Sequence, residues 1–237
     1  MKVKIITIIV LFLSLGLGQD ALAKRVKGSG NVITETRDLS SFHTIDVGGA
    51  FHIELIQSSD EKIIIETDDN IMPYIVTKVS GGELDIYNDV SINNPTKLNL
   101  TIYYKNLSEL EISGAAELFS SGILDATHLK LDFSGAAEVT LKLDAKNLDC
   151  EFSGASSVNL DGVALNAEID ASGASVLKAF GLEIDNLNLE ASGASTVKVL
   201  VNDKLQVDAS GAASIRYKGN PDLRVEDVSG AASFRKG

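Results

Sequence analysis

Seven acidic residues recur along the second half of the chain, each two positions before a serine. They are Glu111, Asp132, Glu151, Asp170, Glu190, Asp208 and Asp227. Carboxylate oxygens are ligands that suit Ca²⁺, and a row of them also attracts a basic ligand. A solubilising column, screened by water and salt over about 8 Å at physiological ionic strength, is the alternative. We therefore predict no cofactor, name these residues as a candidate ligand-binding column with Ca²⁺ as the one cation to test, and keep the solubilising role open.

The residues that usually carry catalysis form no motif. His43, His52 and His128 share no spacing, and neither HExxH nor a pair of cysteines occurs. General acid–base catalysis needs two titratable groups directed at one bond, and no such pair stands out in the sequence. The serines after the acidic residues lie directly before glycine, so they lack the G-x-S-x-G pattern of a nucleophile elbow. The sequence therefore predicts that the protein is not an enzyme.

The serines belong to a repeated Ser-Gly-Ala motif whose period indicates the fold. The motif begins at Ser113, Ser134, Ser153, Ser172, Ser192, Ser210 and Ser229, at spacings of 21, 19, 19, 20, 18 and 19 residues. Apolar residues stand one, three and five places before most of these serines, which is the period of a strand with one buried face. Repeats of this length with short strands stacked in register predict an all-β, right-handed parallel β-helix with coils of ~19 residues.

The Ser-Gly-Ala motif itself is interpreted as a corner of each coil. Stacked coils lie ~4.8 Å apart, so identical corners crowd one another. Glycine reaches backbone conformations that branched residues cannot, and alanine and serine leave room for the neighbouring coil. After the corner comes an apolar column followed by a polar-leaning one, Phe119, Thr140, Asn159, Lys178, Lys198, Arg216 and Arg235.

Three parts are predicted along the chain. Residues 1–23 carry two lysines, an apolar run and Ala21-Leu22-Ala23, which is the layout of a cleavable signal peptide. Residues 24–106 alternate apolar and polar residues without a fixed period, which predicts an irregular β region continuous with the solenoid. Residues 107–237 hold the regular coils. We therefore expect an exported protein located in the periplasm, at the cell surface or outside the cell.

Composition narrows the class of partner. The formal net charge of −12 argues against nucleic acid and against anionic membrane surfaces. The single cysteine, Cys150, excludes an internal disulfide. The mature chain contains no predicted transmembrane segment. A surface protein or a glycan is therefore the expected kind of ligand.

The opening segment GSGNVITETRDLSSFHTIDVGGAFHIELIQ, residues 28–57, followed by the Ser-Gly-Ala coils, resembles the bacterial family described as putative autotransporter adhesin, head GIN domain. The resemblance covers about residues 28–237. It implies a right-handed β-helix and a location at the surface or in the envelope, and it implies no catalytic residues.

Two functional hypotheses follow from the sequence. The first is a non-catalytic surface or envelope protein that acts as an adhesin or interaction module. The alternative is a β-helix protein that binds or cleaves carbohydrate. The last strand-like segment, with Phe234, predicts an uncapped β-helix edge, through which copies of the protein would associate.

Overall fold

The structure, a computed structural model, describes residues 24–237. The signal-peptide prediction lies outside these residues. Within residues 24–237 the chain forms eighteen strands and one short 3-10 helix, Met72–Tyr74. The strands are β1 (Arg25–Lys27), β2 (Val32–Asp38), β3 (Thr44–Gly49), β4 (His52–Gln57), β5 (Lys62–Asp68), β6 (Ile75–Ser80), β7 (Glu83–Asn88), β8 (Ser91–Asn93), β9 (Leu98–Tyr104), β10 (Glu109–Gly114), β11 (Glu117–Gly135), β12 (Glu138–Phe152), β13 (Ser157–Ala171), β14 (Val176–Ala191), β15 (Thr196–Ala209), β16 (Ser214–Lys218), β17 (Asp222–Val228) and β18 (Ser233–Lys236).

The five long strands β11–β15 each run through most of one coil and pair in parallel with the coil before and the coil after. Val139 lies beside Val158, and Phe152 lies beside Ala171, a displacement of one repeat in each case. The pairing skips one residue between Ala145 and Asn147, where the coil bends. The all-β, parallel solenoid with coils of about 19 residues is therefore confirmed.

The inward columns form one continuous hydrophobic core. In the column three places before the motif serine, Leu131, Cys150, Leu189 and Val207 are 0% exposed and Ile169 is 1% exposed. Phe133 and Phe152 stack between neighbouring coils with ring centroids 5.5 Å apart. Burying each such side chain stabilises the fold by roughly 1.5–3 kcal/mol. Burial also raises the pKa of the Cys150 thiol well above its ordinary value.

Glycine is required at the corner of each coil. Gly173 has φ +67, and a Cβ added there would lie 2.6 Å from the carbonyl oxygen of Gly154. The same close approach recurs at Gly154, whose Cβ would lie 2.4 Å from the oxygen of Gly135. The backbone N–H of Ala174 donates to the Gly154 oxygen at 2.8 Å, which holds the two corners together. Two motif serine hydroxyls donate to backbone carbonyls of the preceding coil: Ser134 to Ile112 at 3.5 Å and Ser172 to Phe152 at 3.4 Å.

The N-terminal strands combine parallel and antiparallel pairing. β3 and β4 continue the solenoid, because they pair in parallel with β10 and β11. β5 pairs antiparallel with both β2 and β9, and β6 pairs antiparallel with β7. The irregular and the regular part thus share one sheet across residue 106, and where one ends and the other begins stays a prediction.

The C-terminal end of the solenoid is open. Every residue of β17 is exposed, and the inward positions Leu223, Val225 and Val228 are 41%, 44% and 39% accessible. Their counterparts one coil earlier are completely covered. No helix within residues 24–237 is long and apolar enough to cross a bilayer.

Candidate functional site

The seven predicted acidic residues lie in one file along the solenoid. Each is the direct parallel neighbour of the next, from the pair Glu111–Asp132 to the pair Asp208–Asp227, where one residue bulges out of the ladder. They project outward between inward-facing residues, and the last five are exposed. We call these seven residues the acidic column. The stacking that the sequence predicted is present, whereas the binding of a ligand by this column stays a prediction.

The file of carboxylates extends two coils beyond the acidic column. Asp46 of β3 lies beside Glu111, and Asp85 of β7 lies beside Asp46. Neither residue was predicted from the sequence as part of the column. The segment IDVGGA contains the signal, because aligning Gly48 with the motif serine places Asp46 two positions before it. Asp85 carries no such signal, since no Ser-Gly-Ala follows it.

The carboxylates at the N-terminal end of the file interact strongly. Burial raises the pKa of Asp46, and the charge of Asp85 raises it further. Burial likewise raises the pKa of Glu111, to which Glu109 adds. Glu109 behaves in the opposite way, because the hydrogen bond from Lys130 lowers its pKa, and the Lys130 Nζ lies 3.0 Å from its Oε1. The pKa values of the neighbouring carboxyl groups of Glu109 and Glu111 therefore shift in opposite directions.

One group of carboxylates has the spacing of metal ligands. Single oxygen atoms of Asp46, Glu83 and Asp85 lie within 4.8 Å of one another. Asp46 and Asp85 are half-buried and Glu83 is exposed. Three carboxylates suit a hard cation such as Ca²⁺, which takes six to eight oxygen ligands. The remaining ligands would have to come from water and backbone carbonyls.

A ladder of asparagine side chains runs parallel to the acidic column on the same face. The amide Nδ2 of Asn166 donates to Oδ1 of Asn147 at 3.1 Å, and Nδ2 of Asn186 donates to Oδ1 of Asn166 at 3.2 Å. His128 ends the ladder, with its Nδ1 3.2 Å from Nδ2 of Asn147. We call Asn147, Asn166 and Asn186 the amide ladder. The Nδ2 groups of Asn147 and Asn186 each have two partners, so the groups left for a ligand are the free lone pairs of the three Oδ1 atoms and the second N–H of Asn166.

A groove lies between the amide ladder and the next outward column. That column consists of Lys130, Asp149, Glu168, Asn188, Gln206 and Arg224, and it separates the groove from the acidic column. The groove comprises two adjoining concavities of about 390 Å³ each. They share Asn166, Ala167 and Asn188, so the groove is continuous across several coils. The walls are the polar side chains of these two columns, and the floor is the apolar column between them, Leu129, Leu148, Ala167, Leu187 and Leu205.

The histidines are scattered, as the sequence predicted. His52 is exposed and its Nδ1 lies 2.7 Å from a carboxylate oxygen of Glu117. His43 lies beside Thr44, and His128 ends the amide ladder. Among the described residues, none of the three histidines belongs to a group of side chains with the spacing of metal ligands.

A comparison with models of protein families places these features in a known group. Residues 41–221 match the family described as putative auto-transporter adhesin, head GIN domain. The chain belongs to this family. The resemblance found in the sequence is thereby confirmed.

Solved structures of similar fold support the same architecture. A putative adhesin from Bacteroides fragilis superposes with a TM-score of 0.85 at 22% identity, over 89% of this chain and 99% of its own. A putative adhesin from Parabacteroides merdae gives 0.74 at 24% identity, over 91% and 100%. A putative lipid binding protein from Parabacteroides distasonis gives 0.72 at 21% identity, over 90% and 100%. The comparison with curated protein sequences finds no match.

Proposed function

We propose that the protein is a non-catalytic interaction module of the bacterial exterior, an adhesin that binds a linear glycan lengthwise in the groove. The observation that carries this proposal is the continuous groove with the amide ladder as one wall. Glycan hydroxyl groups donate and accept hydrogen bonds, and the unused Oδ1 lone pairs of the ladder accept them. A ligand that repeats along its length matches a wall that repeats every ~4.8 Å.

The acidic column belongs to this proposal as the outer rim of the binding face. It lies two columns from the amide ladder and repels polyanions, so it favours neutral or basic ligands. Membership of an adhesin family supports export and a role in surface interaction. A buried lipid site is not favoured, because the inward columns of the described coils are filled with tightly covered side chains.

The experiment is a glycan-array screen with the protein and two matched variants, run with and without calcium. Asn166→Trp fills the centre of the groove, and Thr140→Trp places the same ring on an exposed strand position of the neighbouring coil, outside the groove. We expect neutral glycans to bind the wild type and Thr140→Trp, and binding to Asn166→Trp to fall at least about tenfold, or ~1.4 kcal/mol. Equal binding by all three proteins would refute the groove as the site.

Cleavage of carbohydrate is the second candidate function, and one observation favours it. Glu109 and Glu111 are carboxyl neighbours whose pKa values move in opposite directions, which is the arrangement of an acid and a base. Lys130, which pairs with Glu109, also lines one end of the groove. Release of reducing ends from a bound glycan by the wild type, abolished in Glu111→Gln, would replace the adhesin proposal with this one.

Association between copies of the protein is proposed for the open C-terminal end. Leu223, Val225 and Val228 are exposed there beside a strand edge without a neighbour in the described chain. Covering them would remove apolar surface from water and pair free backbone groups. Sedimentation velocity at rising concentration should show larger species that Val225→Lys removes. A wild-type monomer at all concentrations would refute the association.

A further inference from the structure

Another outward column, on the other side of the Ser-Gly-Ala corner, carries only positive charge over its last four coils. Lys178 lies beside Lys198, Lys198 beside Arg216, and Arg216 beside Arg235. Three of the four are exposed and Lys198 is half-buried. We call Lys178, Lys198, Arg216 and Arg235 the basic ladder. It concentrates four of the 21 Lys and Arg residues of a chain with net charge −12 in one row.

The side chains of the basic ladder form no ion pair in the part of the chain that the structure describes. Within residues 24–237, none of the four side chains has a carboxylate oxygen within 4.0 Å. The next outward column toward the corner is uncharged, with Val176, Thr196, Ser214 and Ser233. Four like charges at a spacing of ~4.8 Å repel one another. A ligand with anionic groups along its length would relieve this repulsion and gain attraction at every rung.

We propose that the basic ladder binds a linear anionic polysaccharide that lies along the solenoid axis. The ladder is one residue wide and spans three intervals, or roughly 14 Å, which suits a single chain with one anionic group per sugar. This site lies apart from the groove and its ligand is different. Failure of the groove proposal therefore leaves the basic ladder unaffected, and the reverse also holds.

Two features favour a polysaccharide over other polyanions. Single-stranded nucleic acid binds by stacking bases on free aromatic rings, and the rings near the ladder are engaged. Lys218 Nζ lies 4.2 Å from the centre of the Phe180 ring, and Tyr217 stacks on Phe234 with centroids 4.9 Å apart. An anionic membrane would contact a broad surface, whereas the positive charge forms a row one residue wide on a strongly acidic protein.

The test uses polygalacturonate oligomers as the probe, with isothermal titration at low salt. Lys198→Gln/Arg216→Gln removes the two central charges of the ladder. Lys105→Gln/Lys146→Gln removes two exposed lysines elsewhere and changes the net charge equally, from −12 to −14. In water, the loss of one charge pair weakens binding about fivefold, so we expect the ladder variant to bind roughly 25-fold more weakly than the wild type. The control variant should bind within about twofold of the wild type.

Three results would overturn the proposal. The first is the absence of measurable binding of polygalacturonate to the wild type at low salt. The second is an equal loss of affinity in the ladder and control variants, since this would indicate a general charge effect. The third is tighter, ladder-dependent binding of a single-stranded DNA oligomer or of phosphatidylglycerol vesicles, which would assign the ladder to that ligand. Circular dichroism spectra of both variants establish that they fold like the wild type.

Discussion

Replacing one corner glycine by alanine tests how the coils are held in register. In Gly173→Ala the new Cβ meets the Gly154 carbonyl oxygen at 2.6 Å, on a residue with φ +67. The left-handed conformation costs an L-residue about 1–2 kcal/mol. Moving the corner away also strains the 2.8 Å hydrogen bond from Ala174 to Gly154, worth about 0.5–1.5 kcal/mol. With the residual strain, we expect Gly173→Ala to lower the free energy of unfolding by about 2–4 kcal/mol.

Two other glycines separate the conformational cost from the steric cost. Gly81 has φ +64 and no heavy atom within 4 Å of its added Cβ, so Gly81→Ala should cost only the conformational part, about 1–2 kcal/mol. Gly122 lacks both a positive φ and a close neighbour. Gly122→Ala should therefore change the free energy of unfolding by no more than about 0.5–1 kcal/mol, toward greater stability.

The assay is urea and thermal unfolding of all three variants, followed by circular dichroism. For a chain of this size, 2–4 kcal/mol corresponds to a fall in Tm of about 4–16 °C for Gly173→Ala. Equal losses in Gly173→Ala and Gly81→Ala would refute the steric argument. The close stacking of corners would then contribute nothing beyond the backbone conformation.

Three further predictions concern buried polar groups and pH. Ser175 is 1% exposed and its Oγ has no hydrogen-bond partner among the described residues, while Ala116, Ala137 and Ala213 occupy the same inward column. Ser175→Ala should therefore raise the free energy of unfolding by about 1 kcal/mol in urea titrations. A loss above about 1 kcal/mol would contradict this. Burial opposes ionisation of Asp68, but hydrogen bonds from Thr96 and Gly30 lower its pKa below the ordinary value of 3.8. The stability that the Asp68 carboxylate contributes is therefore present above pH 3.8 and is lost as the pH falls through the lower pKa of the folded state. Asp68→Asn should destabilise the protein at pH 7 and flatten its acid unfolding curve. An unchanged curve would show that these hydrogen bonds do not favour the charged carboxylate over the neutral carboxyl group. The pKa of Glu111 is raised above its ordinary value of 4.5, so the charged form of Glu111 destabilises the fold at higher pH. Glu111→Gln should therefore raise Tm at pH 7 and have little effect at pH 3. The opposite pH dependence would refute the raised pKa of Glu111.

The repeat predicted the architecture because identical backbone geometry at every coil demands identical small residues. Gly154 and Gly173 show the reason directly, since a side chain at either would collide with the corner below. The acidic column followed from the same alignment, because parallel pairing places equivalent residues side by side. The N-terminal strands did not follow, since β2, β5 and β6 pair antiparallel and leave no common period.

The groove and the amide ladder were beyond the reach of the sequence. Asn147, Asn166 and Asn186 are one repeat apart, but their alignment depends on the bend at residue 146, which no local motif announces. The basic ladder was visible only as a polar-leaning column. Its significance required knowing that the four side chains stack without a carboxylate among the described residues near them. What such a surface binds is decided by residues in adjacent columns, rather than by residues adjacent in the sequence.

Affinity measured as a function of glycan length tests the central proposal most directly. The groove face extends over six coils from Lys130 to Arg224, or five intervals and roughly 24 Å. Isothermal titration with neutral oligosaccharides of increasing length should show affinity that rises until the chain spans about this distance and then levels off, with the ligand recovered intact. Affinity that does not depend on length, or a ligand recovered in shortened form, would contradict the account.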